Sequence, residues 1–203
     1  MKWLWFILVA YALFLAPGQG GLQDPVLKSL LAGNYKELDP LIMMVFSFLG
    51  IFPIVWSGLY LRQDHYSVPA WPFALLSFGL GAFSLLPYLF FKGKDRKKRS
   101  NVRRAGRILL SNLVILPLLL ATLSLYVYGL LQGRFSAYQE AFMQSKLVSV
   151  MTADFIVLVI YSYWWMKREK PGSEKWCLFP LAGLQIAILQ SKRSHHSGIE
   201  DKS

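Results

Sequence analysis

The stretch Lys92–Arg107, KGKDRKKRSNVRRAGR, lies between two long uncharged runs, Ala70–Phe91 and Ile108–Leu131. Each run exceeds the ~20 residues, about 30 Å as helix, that cross a bilayer hydrocarbon core. Between them Lys92, Lys94, Arg96, Lys97, Lys98, Arg99, Arg103, Arg104 and Arg107 face a single acid, Asp95. The pattern predicts a membrane hairpin with a basic turn. Lys and Arg gather in short loops on the cytoplasmic side, or its equivalent in an organelle, so this loop sets the expected orientation.

The rest of the chain is built the same way. Of 203 residues, 55% are hydrophobic and 16% charged, below the ~25% charged residues of a typical soluble domain. The chain reads as one membrane domain, residues 1–203, with little material for a soluble one. A net charge of +11 raises nucleic acid as a partner. The excess, however, sits beside apolar runs with no nucleic-acid-binding module around it, so membrane lipids and other membrane proteins are expected and nucleic acid is not. Cys177 stands alone, which excludes an intramolecular disulfide and a multi-cysteine metal or iron-sulfur site.

The first apolar run, Trp3–Ala16, is short for a span and ends at Pro17-Gly18-Gln19-Gly20-Gly21. A signal peptide has that outline too. Trp3 and Trp5 suit an interfacial anchor and Ala16-Pro17 is a poor cleavage site, so residues 1–19 are expected to stay as an N-terminal apolar segment. Residues Leu22–Leu38 are amphipathic. Asp39-Pro40 then opens the run Leu41–Leu61: the aspartate accepts an orphan N–H, and the missing donor of proline costs nothing at the first helical position.

Residues 41–91 form the expected first helix pair, 92–107 the basic cytoplasmic loop and 108–166 the second pair. The last run of that pair, Leu147–Met166, ends in Tyr161, Tyr163, Trp164 and Trp165 followed by Lys167 and Arg168, an interfacial signature. A short C-terminal segment, 176–189, is interrupted by Pro180 and Gly183, and 190–203 is a polar tail. The fold class is therefore all-α, a polytopic integral membrane helix bundle of five to six apolar helices. If every run crosses, Leu22–Leu38 and Lys167–Lys175 lie with the basic loop inside, and His65 and Gln139 lie outside. Lys2 then falls outside, against the charge rule.

Asp154 is the sharpest candidate for chemistry, because a carboxylate within an apolar run costs on the order of 3 kcal/mol or more unless something compensates it. Lys146 and Tyr161 fall near its helical face, and Lys146 is placed to reach toward it from the interface. The alternatives are a titratable or partner-binding carboxylate and a structural one that fixes packing. Ser111 and Asn112 lie one turn into their run and suit interhelical hydrogen bonds. Ser77, Gly81 and Ser84 form a small-residue stripe that permits close helix approach. Pro53, Pro87 and Pro117 interrupt runs, as membrane helices tolerate. His65, His195 and His196 read as surface residues, and no metal or cofactor site is expected. GxSxG, P-loop and paired-carboxylate motifs are missing, leaving hydrolase and ATPase chemistry without its parts.

Three segments, LDPL at Leu38–Leu41, PAWPFALLSFGLGAFSLLPYLFF at Pro69–Phe91 and FMQSKLVSVMTADF at Phe142–Phe155, resemble a family of uncharacterised polytopic membrane proteins of cyanobacteria and of plant and algal chloroplasts. FPLAG at Phe179–Gly183 is similar to a C-terminal segment of that family. Histidine is common in the family at the position of Ser149, and this chain departs from it there. The resemblance implies a multi-pass protein of the thylakoid or plasma membrane of a cyanobacterium, near photosynthetic complexes or pigments.

The leading expectation is a non-enzymatic membrane accessory or assembly factor that contacts other membrane proteins through its apolar faces and basic loop. The alternative is a small membrane transporter or membrane enzyme that uses Asp154, with Lys146 and Tyr161 beside it.

Overall fold

Two Asp-Pro pairs begin helices, and in both the aspartate holds more than its own helix. The computed structural model describes residues 2–62, 72–73, 75–77, 81–90, 106–169, 179 and 181–189. The basic residues Lys92–Arg104, His65, Cys177, Pro180, and the tail with His195 and His196 lie outside the described residues. Helix α1 spans Lys2–Ala10 and continues as a π-helical turn over Tyr11–Leu15; α2 spans Pro25–Ala32, α3 Pro40–Arg62, α4 Ala82–Phe90, α5 Asn112–Gln132, α6 Phe135–Gln144 and α7 Lys146–Glu169. Residues 182–189 form a last helix, α8.

Asp39 Oδ1 accepts the Leu41 N–H at 2.9 Å, capping α3, while Oδ2 accepts the Arg134 N–H at 3.0 Å from the link between α5 and α6. Asp24 does the same twice over. Its Oδ1 accepts the Val26 and Leu27 N–H groups of α2 at 3.0 and 3.2 Å, and its Oδ2 accepts the Leu147 N–H of α7 at 2.9 Å. Ser145 Oγ donates to both carboxylate oxygens at 2.8 Å and accepts the Val148 N–H at 3.2 Å. One carboxylate thus joins the positive ends of two helices, where anions are stabilised.

The Pro17–Gly21 breaker is part of this end. Gln19 N–H donates to Gln144 O at 2.9 Å and Gln19 O accepts Lys146 N–H at 3.0 Å. Gly18, at φ +90°, passes so close that a Cβ would lie 2.5 Å from the Gln144 carbonyl carbon. From this strap α1 runs back along the bundle: Tyr11 Oη and Ser149 Oγ are 2.6 Å apart, Trp5 Nε1 donates to Phe83 O at 3.1 Å, and Leu8 is buried.

Among the described residues three helices are long and apolar enough to cross a membrane by length and composition: Pro40–Leu61, Asn112–Gln132 and Lys146–Arg168. These account for three of the five to six apolar helices expected; much of the third and of the C-terminal apolar run lies outside the described residues. The described residues between Ala70 and Phe91 do not lie along one rod. Ser84 Oγ donates to Phe73 O at 3.0 Å and the Phe73 and Tyr88 ring centroids lie 5.5 Å apart. A continuous helix would separate residues 73 and 88 by about 22 Å. The direction instead reverses between Ser77 and Ala82, with Gly81 at φ +51°, and the chain returns as the nine-residue α4, about 14 Å long.

The expected grouping of Leu22–Leu38 with Lys167 is not what the contacts between described residues give. Asp24 and Asp39 tie residues 24–39 to residues 134–147, so Leu22–Leu38 shares an end with Gln139 and does not share one with Lys167. At the opposite end Leu110 packs against Gly58, and Trp56 and Tyr60 meet Trp165 and Tyr161. Arg107, Lys167 and Arg168 are exposed there, and we call it the basic end. The end that holds Asp24 and Asp39 is the cap end, and helix α1 points its N-terminus away from it.

Helix α3 is the central helix, with 61% of its most apolar window buried, against 17% for α5. Trp56 centres the aromatic packing, 4.5 Å from the Tyr161 ring and 5.5 Å from both Tyr60 and Trp165. Such pairs add about 0.5–1.5 kcal/mol each beyond area burial. Helices α3 and α5 close at Gly129, where a Cβ would stand 2.6 Å from the Met44 sulfur. Helix α5 starts at Asn112 because Ser111 takes an extended cap conformation, φ −62° and ψ 156°. Ser111 therefore precedes the helix and does not lie a turn inside it. Pro53, Pro87 and Pro117 are accommodated within α3, α4 and α5.

Candidate functional site

The chain reversal at Gly81 and the carboxylate of Asp154 form a single arrangement. Ala82 is the first residue of α4, and its N–H, an orphan donor at any helix start, donates to Asp154 Oδ1 at 2.9 Å. Gly81 meets the other oxygen: a Cβ there would come within bonding distance of Oδ2, and the positive φ already disfavours a side chain. The small-residue stripe Ser77, Gly81, Ser84 therefore serves the reversal as well as packing, with Ser77 O accepting the Gly81 N–H at 2.9 Å.

Asp154 is 4% exposed and lies about 12 Å along α7 from its start at the cap end. From there a cleft of about 590 Å³ opens between the N-terminal halves of α3 and α7. Met43, Phe46, Leu49, Phe83, Leu147, Val150 and Met151 make most of its wall, with Ser47, Gly50 and Gly81 between them and Tyr35 at the cap end. The only ionisable carboxylate among the lining residues is Asp154. Its Oδ1 is engaged by Ala82, and among the described residues no second group hydrogen-bonds to the carboxylate.

The residues singled out with Asp154 are not brought to it. The stem of Lys146 lies against Gly20, where a Cβ would stand 3.1 Å from the lysine Cδ, and among the described residues no ion pair links Lys146 to Asp154. Tyr161 Oη accepts a hydrogen bond from Tyr60 Oη at 3.0 Å, nearer the basic end. A 3.6-residue repeat drifts over two turns, so three residues near one helical face need not share one neighbour. Ser149 faces α1 through Tyr11 and lies outside the cleft lining. Of the basic loop, Arg107 alone is among the described residues, and it is exposed.

Sequence reasoning missed Asp24, which is 1% exposed. The signal was present, because Asp24-Pro25 is the same cap-and-first-turn pair as Asp39-Pro40. Beside these caps a second, polar groove of about 520 Å³ includes Lys36, Glu37, Arg134 and Glu140. Its acids are engaged locally, Glu37 with Ser29 at 3.5 Å and Glu140 with Gln144 at 3.0 Å. On the cap end too, burial raises the Tyr138 phenol above its usual value, and its hydrogen bond with Thr152 offsets part of that rise. Among the described residues no three His, Cys, Asp or Glu converge as metal ligands.

Comparison of the chain with family models, with curated proteins and with solved structures finds no match.

Proposed function

We propose that this chain is a multi-pass integral membrane protein that binds a small molecule with a largely apolar body in the cleft ending at Asp154 and carries it across part of the bilayer, as a small transporter does. The observation that carries the reading is the cleft itself. Its wall is apolar, its depth places a carboxylate well below the cap end, and its floor is the start of a half-helix. Non-helical backbone at membrane depth is tolerated where it is buried in protein or lines a cavity, and broken helices of this kind build the binding sites of secondary transporters. The orientation we propose puts the basic end in the cytoplasm and the cleft mouth outside. A cyanobacterial thylakoid or plasma membrane is the proposed setting, supported by the resemblance of the three segments alone.

A second reading, the non-enzymatic accessory or assembly factor, is favoured by α5. Leu113, Leu120 and Leu131 are 85%, 66% and 79% exposed along it, an apolar face that lipid or a helix of another protein would cover.

Purification into phosphatidylcholine nanodiscs, followed by mass spectrometry of organic extracts, tests the first reading. Wild type should retain at least one small molecule with a largely apolar body that Met151→Trp, which fills the cleft, retains at least fivefold less. Identical extracts from the two proteins would overturn it. A large assembly containing other membrane proteins, unchanged by Met151→Trp, would move the accessory reading ahead.

A further inference from the structure

The state of Asp154 narrows the class of molecule that the cleft takes. Oδ1 rests on the first N–H of α4, a nine-residue helix whose positive end favours an anion by a modest amount. That is less than the cost of placing a charge in hydrocarbon. Oδ2 lies over Gly81 at the floor of the cleft.

Among the described residues, those that line the cleft include no cation. Met43, Phe46, Ser47 and Leu49 come from α3; Gly81 and Phe83 from the hairpin; Leu147, Val150 and Met151 from α7. Lys146 is turned toward Gly20. The wall is equally unsuited to a hydrated metal ion, which needs a shell of oxygen ligands. It offers instead three aromatic rings, Tyr35, Phe46 and Phe83, and two polarizable thioethers, Met43 and Met151, which suit a large, weakly hydrated cation. A volume of about 590 Å³ is that of a site for a drug-sized molecule.

We propose that the cleft binds lipophilic organic monocations, a protonated amine or a delocalised cation on an apolar body, with the cationic centre against Asp154 Oδ2. This rests on the carrier reading above and adds the charge of the ligand to it. The bound cation completes the carboxylate that the fold leaves half-satisfied, and the apolar body replaces water or lipid along α3 and α7.

Tetraphenylphosphonium and a neutral dye, N-phenyl-1-naphthylamine, separate the two claims in phosphatidylcholine nanodiscs. Wild type should bind tetraphenylphosphonium saturably. Asp154→Asn, which keeps an acceptor for the Ala82 N–H, should weaken the phosphonium at least tenfold and the dye less than twofold, and Met151→Trp should lose both. Saturable dye binding without phosphonium binding, or equal phosphonium affinity in Asp154→Asn, would overturn the cation assignment and leave the carrier reading standing. Binding of neither probe would overturn both.

A measurement that leaves Asp154 intact guards against a variant that fails to fold. In a Cys177→Ser background, tetraphenylphosphonium should slow alkylation of a cysteine placed at Ser47 by at least fivefold, and an unchanged rate would overturn the cation assignment.

Discussion

Asp24, Asp39 and Asp154 act alike, in that each carboxylate caps a helix start and so fixes a second piece of chain. Asp39 and Asp24 cap their own helices and reach across the bundle end, whereas Asp154 caps α4 from another helix altogether. Asp24 holds the most partners, since Val26, Leu27 and Leu147 N–H and Ser145 Oγ all donate to it. Removing a buried acceptor leaves its donors unpaired, and each orphan costs about 1–3 kcal/mol. Asp24→Ala should therefore destabilise the protein by about 3 kcal/mol or more, and Asp24→Asn, which keeps one acceptor oxygen, by about half as much. Thermal unfolding of the nanodisc-embedded variants measures this. Equal midpoints for Asp24→Ala and wild type would show that the cap end is held together without the carboxylate.

The helices α3, α5 and α7 were readable because long apolar runs bounded by charge or by Asp-Pro leave few other structures open. The reversal at Gly81 was not readable, because the chain is as apolar before it as after it. Hydropathy reports burial and is blind to direction. What decides the direction is a contact between Ala82 and Asp154, far apart in sequence. Asp24-Pro25 does mark a helix start, but its distant partners Ser145 and Leu147 cannot be guessed from the amphipathic stretch around it. The division into a cap end and a basic end has a clear readout. In a Cys177→Ser background, single cysteines at Lys36 and Gln139 should be labelled from one side of the membrane, and cysteines at Arg107 and Arg168 from the other. Labelling of Lys36→Cys from the same side as Arg107→Cys would overturn this division.

Taken together, the helices form an inner group, α3, α4 and α7, bound by aromatic rings and the Asp154 contact, with α5 laid against α3 along one face. In water such a face would be a liability, since large contiguous apolar patches mark interaction or membrane sites. In a bilayer it is the expected lipid contact. Helix–helix association there rests on close packing more than on expelling water, which fits the sulfur of Met44 seated where Gly129 lacks a side chain. The membrane setting then predicts a depth profile. Leu120 is near the middle of α5 and Leu131 near its cap-end terminus, and both are exposed. An arginine at the centre of a membrane helix costs about 2.5–3.5 kcal/mol, whereas one at the end reaches the interface at little cost. Leu120→Arg should sharply lower the fraction of protein that resists carbonate extraction, and Leu131→Arg should leave it near wild type. If both variants stayed fully inserted, the outer face of α5 would be covered by another polypeptide or by water and not by lipid.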